Sequence, residues 1–101
     1  MKILICGDPS WRNLDLISDL LEVMKPTEII ISNDSLSKKV KDIAEIRGIP
    51  VKQDKTHNLL GYNPDVVLAL HQLYRKRNEA KRLLVAARKQ DIPIIMQFEG
   101  D

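Results

Sequence analysis

Short apolar runs alternate with amphipathic stretches along nearly the whole chain, and this alternation constrains the fold more than any other feature. Runs rich in Ile, Val and Leu predict buried strands, at Lys2–Cys6, Glu28–Ser32, Val51–Gln53, Asp65–Leu70 and Ile94–Gln97. Apolar residues spaced three and four apart predict helices, at Asn13–Met24, Leu36–Arg47 and Arg75–Gln90. Pro26 and Gly48 fit the ends of the first two helices.

Strands that are separated by helices imply a parallel sheet with right-handed crossovers. The predicted fold is therefore α/β: a single Rossmann-like, doubly wound domain over residues 1–101, with a five-stranded, mostly parallel sheet and helices on both faces. Asp65–Leu70 is the most apolar strand and is predicted in the middle of the sheet. The short Val51–Gln53 is predicted near an edge. Between them, Asp54–Pro64 is polar and irregular, with one helical turn predicted around Leu59.

Composition excludes several classes of protein. The chain has 101 residues, 44% apolar and 30% charged, which is typical of one globular domain and not of a disordered segment. Its apolar runs are too short to span a bilayer and its N-terminus lacks a signal-peptide pattern, so we predict a cytoplasmic protein with no membrane partner. One Cys and two widely spaced His residues predict neither a disulfide nor a metal site.

The net charge of +2 conceals a segregation of charge along the chain. Residues 1–34 carry a net charge of −3, whereas residues 72–90 carry +6, with seven basic side chains against one acid. Arg75, Arg82 and Lys89 recur every seven residues and therefore fall on one helical face. This face is either an ordinary solvated helix face or, because a basic residue such as Arg75 near a helix start opposes the helix dipole, one that meets a ligand or partner supplying negative charge.

The end of the first strand is a candidate ligand site, because open α/β sheets bind ligands beyond the C-terminal ends of their strands. The residues predicted to contact a ligand there are Gly7, Asp8, Ser10 and Trp11. Gly7 would let the backbone approach a ligand closely. Trp11, the only Trp, would either stack on a base or cover the sheet end as a hydrophobic plug. Cys6 is interpreted as a packing residue, because no His adjoins it in the sequence.

The ends of the second and fourth strands complete the predicted site. Their candidate ligand-binding residues are Ser32, Asn33, Asp34, Ser35, His71 and Arg75. Each strand end precedes a predicted helix, whose N-terminal N–H groups favour anions. The second loop has no Gly to form a backbone phosphate cradle. The side chains of Ser35, Ser37, Lys38 and Lys39 would either bind an anion themselves or serve as a helix cap followed by a solvated face.

Three segments carry motifs of a known family. KILICGDPSW (2–11) is similar to that family's strand followed by Gly-Ser-Arg-Asp-Trp, with Gly7 and Trp11 matching and Pro9 in place of the usual Arg. IAEIRGIPVKQ (43–53) looks like its Ala-x-x-x-Gly-Ile-Pro-Val segment, and PDVVLALHQ (64–72) with AARKQDIPIIM (86–96) looks like its last strand-helix-strand. On these motifs the chain resembles the YspA-like branch of the SLOG superfamily, Rossmann-like proteins grouped with the DprA and LOG families.

Two loops depart from the family pattern. SNDSLSKK (32–39) stands where the family has Ser-Gly-Gly-Ala-Arg-Gly-Ala-Asp, and HQLYRKRN (71–78) stands where it has Pro-Gly-Gly-x-Gly-Thr. In the family these loops form the nucleotide-phosphate cradle. Glu79 lies near the place of the catalytic Glu of LOG-type enzymes, but without the Gly-rich loop that role is not transferred. The resemblance implies a Rossmann-like fold, and it implies nucleotide binding through loops whose sequences differ from the family pattern.

We therefore predict a non-catalytic module, without a cofactor, that binds a nucleotide or a nucleotide-derived phosphorylated ligand at the strand ends. One alternative is a macromolecule-binding module whose basic helix, residues 75–89, docks on nucleic acid or on an acidic protein. Another is a degenerate LOG-type nucleotide phosphoribohydrolase. A homodimer is predicted in each case, because so short a chain leaves sheet edges and helix faces to cover.

Overall fold

The computed structural model describes residues 1–54, 59–72 and 81–99, which contain five strands and three α-helices. The strands are β1 (Lys2–Gly7), β2 (Glu28–Ile31), β3 (Val51–Gln53), β4 (Val66–Gln72) and β5 (Ile94–Glu99). The α-helices are α1 (Leu14–Met24), α2 (Ser35–Ile46) and α3 (Lys81–Lys89), and a 3₁₀ helix spans Leu59–Tyr62. The predicted helical turn near Leu59 is thus confirmed.

All five strands are parallel and lie in the order β3-β2-β1-β4-β5. The winding direction reverses between β1 and β4, which makes the gap between their C-terminal ends the topological switch point. The α/β, Rossmann-like fold predicted from the sequence is confirmed, and the sheet is wholly parallel. β3 lies at an edge as predicted. β4 is an interior strand as predicted, but the central place belongs to β1.

Alternating side chains of the buried strands pack into two hydrophobic clusters, one on each face of the sheet. In β1, Ile3 and Ile5 contact the cluster that contains the buried side chains of α1 and α2. Leu4 lies in the opposite cluster, with residues of α3 and the 3₁₀ helix. Because both faces are covered, the central strands are apolar at successive positions, as a parallel sheet requires.

Helix α1 begins at an Asn cap and ends before a proline. The Asn13 side chain accepts a hydrogen bond from the Leu16 N–H at 3.1 Å, which satisfies one free donor of the first turn. Lys25 adopts a left-handed conformation (φ 47°) just before Pro26 and terminates the helix. Ile17 and Leu21 are buried as predicted, but Leu14 is exposed, because at the first helical position it lies beyond the core.

Helix α2 ends in a Schellman motif formed around a glycine. Gly48 has φ 70°, its N–H donates to the Glu45 carbonyl, and the next N–H, of Ile49, donates to the Ala44 carbonyl. These two bonds satisfy carbonyls that the last helical turn leaves free. The prediction that Gly48 ends this helix in the left-handed region is confirmed.

Two strands in the C-terminal half of the chain end later than predicted. β4 extends to Gln72 and β5 to Glu99, because the backbones of His71 and Gln72 stay in register with Phe98 and Glu99. His71 is therefore the penultimate residue of a strand and not the first residue after it. The predicted helical residues 75–80 lie outside the described residues. No helix in the described part of the chain is long and apolar enough to cross a membrane.

Candidate functional site

The strand order brings the three predicted site loops to one edge of the sheet. The C-terminal ends of β2, β1 and β4 are adjacent there, with β1 in the centre. The Ser35 hydroxyl donates to the Pro9 carbonyl at 3.1 Å, and the Lys39 ammonium donates to the Trp11 carbonyl at 3.0 Å. The start of α2 is therefore tied to the loop that follows β1. The spatial convergence expected from the topology is present.

Gly7 is the last residue of β1 and pairs with Leu70 of β4 at the switch point. Its φ is 147°, and a Cβ built on it would overlap the carbonyl oxygen of Leu70 and lie 2.7 Å from that carbonyl carbon. The next residue, Asp8, donates its backbone N–H to the same Leu70 oxygen at 2.8 Å. The glycine thus allows β4 to approach β1, which is a requirement of the sheet. Close approach of the protein backbone to a ligand, the predicted reason for Gly7, is not needed to explain it.

Trp11 is the hydrophobic plug that one of the two predictions described. Its side chain is fully buried in the cluster between the sheet and helices α1 and α2. The indole N–H donates to the Asn13 carbonyl at 2.9 Å, so the polar atom of the ring is satisfied. A fully buried ring presents no face on which a base could stack. Ser10, beside it in the same loop, is half-buried.

The second loop uses its polar side chains to begin helix α2. The Asp34 carboxylate accepts the Ser37 N–H at 2.8 Å, which is the usual N-cap bond. The Ser32 hydroxyl lies 3.4 Å from the other Asp34 oxygen and 3.3 Å from the Ser37 hydroxyl. Asn33 is exposed beside this network. Because Asp34 already places a negative charge at the start of α2, this helix end favours an added anion less than an uncharged cap would.

Asp8 and His71 are the buried ionisable side chains at the switch point. Asp8 is 2% exposed and His71 is 5% exposed. Burial lowers the pKa of His71 below its usual value, and the negative charge of Asp8 offsets part of this effect. The imidazole is therefore mostly neutral at pH 7, with one ring nitrogen able to donate and the other able to accept a hydrogen bond.

Two contacts of this edge were not predicted from the sequence. The His71 ring packs on Phe98 of β5, with ring centroids 5.8 Å apart. The Gln53 amide, at the end of β3, donates to the Ser32 carbonyl at 3.1 Å and to the Asn33 side chain at 3.4 Å. The rule that parallel strands end at one edge would have indicated Gln53, because β3 was predicted correctly. Phe98 could not be placed at this edge from the sequence, because the predicted β5 ended at Gln97 and the observed strand continues to Glu99.

Arg75, the remaining predicted site residue, lies outside the described residues. Among the residues that are described, no three His, Cys, Asp or Glu side chains come together in a way that could hold a metal ion. The described part of the edge contains two carboxylates (Asp8 and Asp34), one imidazole, one ammonium group (Lys39), hydroxyls and two amides (Asn33 and Gln53). Such a set binds hydroxyl, amine and amide groups through hydrogen bonds.

Cys6 lies near this edge, in the cluster on the α3 side of the sheet. Burial, together with the smaller effect of the negative charge of Asp34, raises the pKa of its thiol to about 12. Since the thiolate is the reactive form, the native thiol is a poor nucleophile near neutral pH. This supports the interpretation of Cys6 as a packing residue.

Thiol reactivity tests this placement directly, because Cys6 is the only Cys. At pH 8 the native protein is expected to react with a disulfide reagent at least tenfold more slowly than the denaturant-unfolded protein, which serves as control. In the unfolded chain the thiol loses its proton near the ordinary pKa of 9.0, whereas the folded thiol keeps it. The free energy of unfolding should therefore fall as pH rises above about 9, and less so in Cys6→Ala. Equal rates in native and unfolded protein would contradict the prediction.

The fold and this edge define a class, the Rossmann-like α/β domains with a polar switch point. Comparisons with protein-family models, with curated proteins and with solved structures each find no match to this chain. The resemblance to the SLOG superfamily therefore stays a prediction from sequence motifs. What the chain does must be argued from its own residues.

Proposed function

We propose that this protein is a non-catalytic, cytoplasmic Rossmann-like module that binds a nucleotide or a nucleotide-derived phosphorylated ligand at the C-terminal ends of β1, β2 and β4. The observation that carries the proposal is the burial of Asp8 and His71 at the switch point. Burying ionisable groups costs free energy, and such groups concentrate at functional sites more than in structural cores. The switch point is also where open α/β sheets bind their ligands.

The charges of the edge support one orientation of the ligand. Asp8 and Asp34 place carboxylate oxygens on the β1 and β2 side, and such oxygens accept hydrogen bonds from ribose hydroxyls or from the amino groups of a base. The basic residues lie beyond β4 in the sequence, where Arg75 follows His71 by four positions. In this proposal the nucleoside part lies on the β1 and β2 side of the edge, where Asn33 and Ser35 are exposed, and the phosphates extend toward the basic segment that contains Arg75.

Binding accounts for the described side chains better than catalysis does. The Cys6 thiol is protonated at neutral pH, because its pKa is raised to about 12. The Asp34 carboxylate is engaged in capping α2, and the Lys39 ammonium donates to a backbone carbonyl. These groups have structural bonds to keep. A ligand at this edge would be recognised through hydrogen bonds.

Titration calorimetry against adenosine, AMP, ADP and ADP-ribose tests the proposal. We expect binding in the micromolar to millimolar range, and a roughly tenfold loss of affinity in Asp8→Asn, because the negative charge at the switch point, which attracts the hydrogen-bond donors of the ligand, is removed. Asp42→Asn is the matched control, since Asp42 is an exposed carboxylate on α2, and it should leave affinity unchanged. Arg75→Ala should weaken binding of the nucleotides but not of adenosine.

Circular dichroism of each variant establishes that it is folded before its affinity is compared. Absence of binding by every ligand at millimolar concentration would overturn the proposal. Equal effects of Asp8→Asn and Asp42→Asn would also overturn it, because the site would then not be at the switch point. Release of free base from AMP by the wild-type chain would replace binding with the phosphoribohydrolase alternative.

A further inference from the structure

Helix α3 presents a cationic and apolar stripe to solvent. Arg82, Val85, Ala86 and Lys89 line an open hollow of about 310 Å³. These positions are spaced as i, i+3, i+4 and i+7, so they form one continuous stripe along the helix. Val85 is 42% exposed although Leu84 and Ala87 beside it are buried against the sheet. α3 has four basic residues and no acid.

Helix α1 presents the complementary stripe. Asp15, Asp19, Glu22 and Val23 are exposed and occupy positions i, i+4, i+7 and i+8. α1 has three acids and no base. Val23 is 79% exposed, so this stripe also offers an aliphatic side chain. Asp15 and Glu22 are seven residues apart, as are Arg82 and Lys89, so the charged ends of both stripes span about 10 Å.

The two stripes cannot meet within one molecule. The buried side of α1 packs on one face of the sheet and the buried side of α3 packs on the other. We propose that the α3 stripe of one copy binds the α1 stripe of a second copy, so that this chain associates head to tail. Because a pair joined in this way still has one free α1 stripe and one free α3 stripe, the association continues beyond a dimer, into a closed ring or an open chain.

A second copy explains the α3 stripe better than nucleic acid does. Phosphate contacts need only the basic side chains, whereas the exposed Val85 and the apolar hollow gain from burial against another apolar side chain. The acidic and aliphatic surface of α1 supplies both parts of the complement. Glu22 also forms an ion pair with Arg47, but its side chain is 67% exposed and remains accessible at the end of the α1 stripe. The charge reversals are placed at Asp15 and Asp19, which leaves this ion pair intact.

Symmetric pairing of two β5 strands is the competing way to join two copies. β5 is an edge strand, and its Ile95, Met96 and Phe98 side chains are exposed. In a two-fold arrangement, however, a continuous sheet would place the two α3 helices on the same face, beside each other. Each α3 carries four basic residues and no acid, so like charges would oppose this dimer.

Charge reversal separates these possibilities. We expect the weight-average mass of the wild-type chain, measured by sedimentation equilibrium at low salt, to rise past that of two chains with concentration and to fall with added salt. Arg82→Glu/Lys89→Glu and Asp15→Lys/Asp19→Lys should each remain monomeric. An equimolar mixture of these two variants should associate again. The reversed α3 stripe of one variant is acidic and meets the basic, reversed α1 stripe of the other, and the two unchanged stripes also carry opposite charges.

Matched controls exclude a general effect of net charge. Arg88→Glu reverses an exposed base in the last turn of α3 that does not line the hollow, and it should leave association intact while the single variant Lys89→Glu weakens it. Asp42→Lys on α2 is the corresponding control for Asp19→Lys. Circular dichroism shows whether each variant is folded.

Four results would overturn the proposal. The first is a wild-type mass that stays at one chain at all concentrations in low salt. The second is a dimer that none of the variants changes, which would indicate pairing through β5. The third is a mixture of the two reversed variants that stays monomeric. Loss of polyanion binding in Arg82→Glu/Lys89→Glu without any change in mass would assign the stripe to nucleic acid and would overturn self-association as well.

Discussion

Replacing Gly7 with Ala is expected to destabilise this protein more than any other single-methyl change. The Ala Cβ would overlap the Leu70 carbonyl oxygen, which is backbone and cannot rotate away. The φ of 147° is also one that L-residues rarely adopt. Conformational strain and the steric clash together should cost about 3 kcal/mol or more, against a total stability of roughly 5–15 kcal/mol for a domain of this kind.

Gly48→Ala is the matched control, because the same methyl group is added where nothing lies within 4 Å. Only the left-handed conformation, with φ 70°, opposes that change, so its cost should be about 1 kcal/mol. Urea unfolding followed by the fluorescence of the single Trp measures both values. Equal losses in the two variants, or an undiminished stability of Gly7→Ala, would show that β4 does not approach β1 as described.

Replacing Trp11 with Ala should have the second large effect. The side chain is fully buried among residues of β1, α1 and α2, and its removal leaves a cavity that aliphatic neighbours only partly fill. The Asn13 carbonyl also loses the hydrogen bond that it accepts from the indole N–H at 2.9 Å. We expect a loss of about 3–5 kcal/mol in the free energy of unfolding, measured by circular dichroism in urea.

Trp11→Phe and iodide quenching test whether Trp11 is a packing residue. Phe retains an aromatic ring but not the hydrogen bond, so it should cost less than Ala does. In wild-type protein the Trp fluorescence should resist quenching by iodide until the chain unfolds, because the ring is buried. A native Trp that iodide quenches as readily as the unfolded one, or a Trp11→Ala variant of unchanged stability, would restore the base-stacking interpretation.

Much of the fold was predictable because its signals are local. The spacing of Ile17 and Leu21 indicates the buried side of α1, and Gly48 before Ile49-Pro50 indicates where α2 ends. Such signals depend on residues within one or two turns of each other. Strand ends were predicted less well, because β4 and β5 continue through His71 and Phe98 only by virtue of pairing with each other.

The site residues show the same division. That Asp8, Asp34 and His71 would come to one edge followed from the strand-and-helix order, because parallel strands end together. Their individual contacts did not follow from it. Asp34 caps α2, Trp11 fills the core and Gly7 accommodates Leu70, and each of these contacts depends on which neighbour the folded chain provides.

The class of the fold and the segregation of charge follow from the amino-acid sequence, because hydrophobic periodicity, capping residues and the count of ionisable groups are properties of the chain. Which residues meet depends on the folded structure. It placed β1 in the centre of the sheet, buried Asp8 and His71 at the switch point, and put the acidic α1 and the basic α3 on opposite faces. These placements arise from long-range packing, in which residues far apart in the chain must satisfy one another's volume, hydrogen bonds and charge.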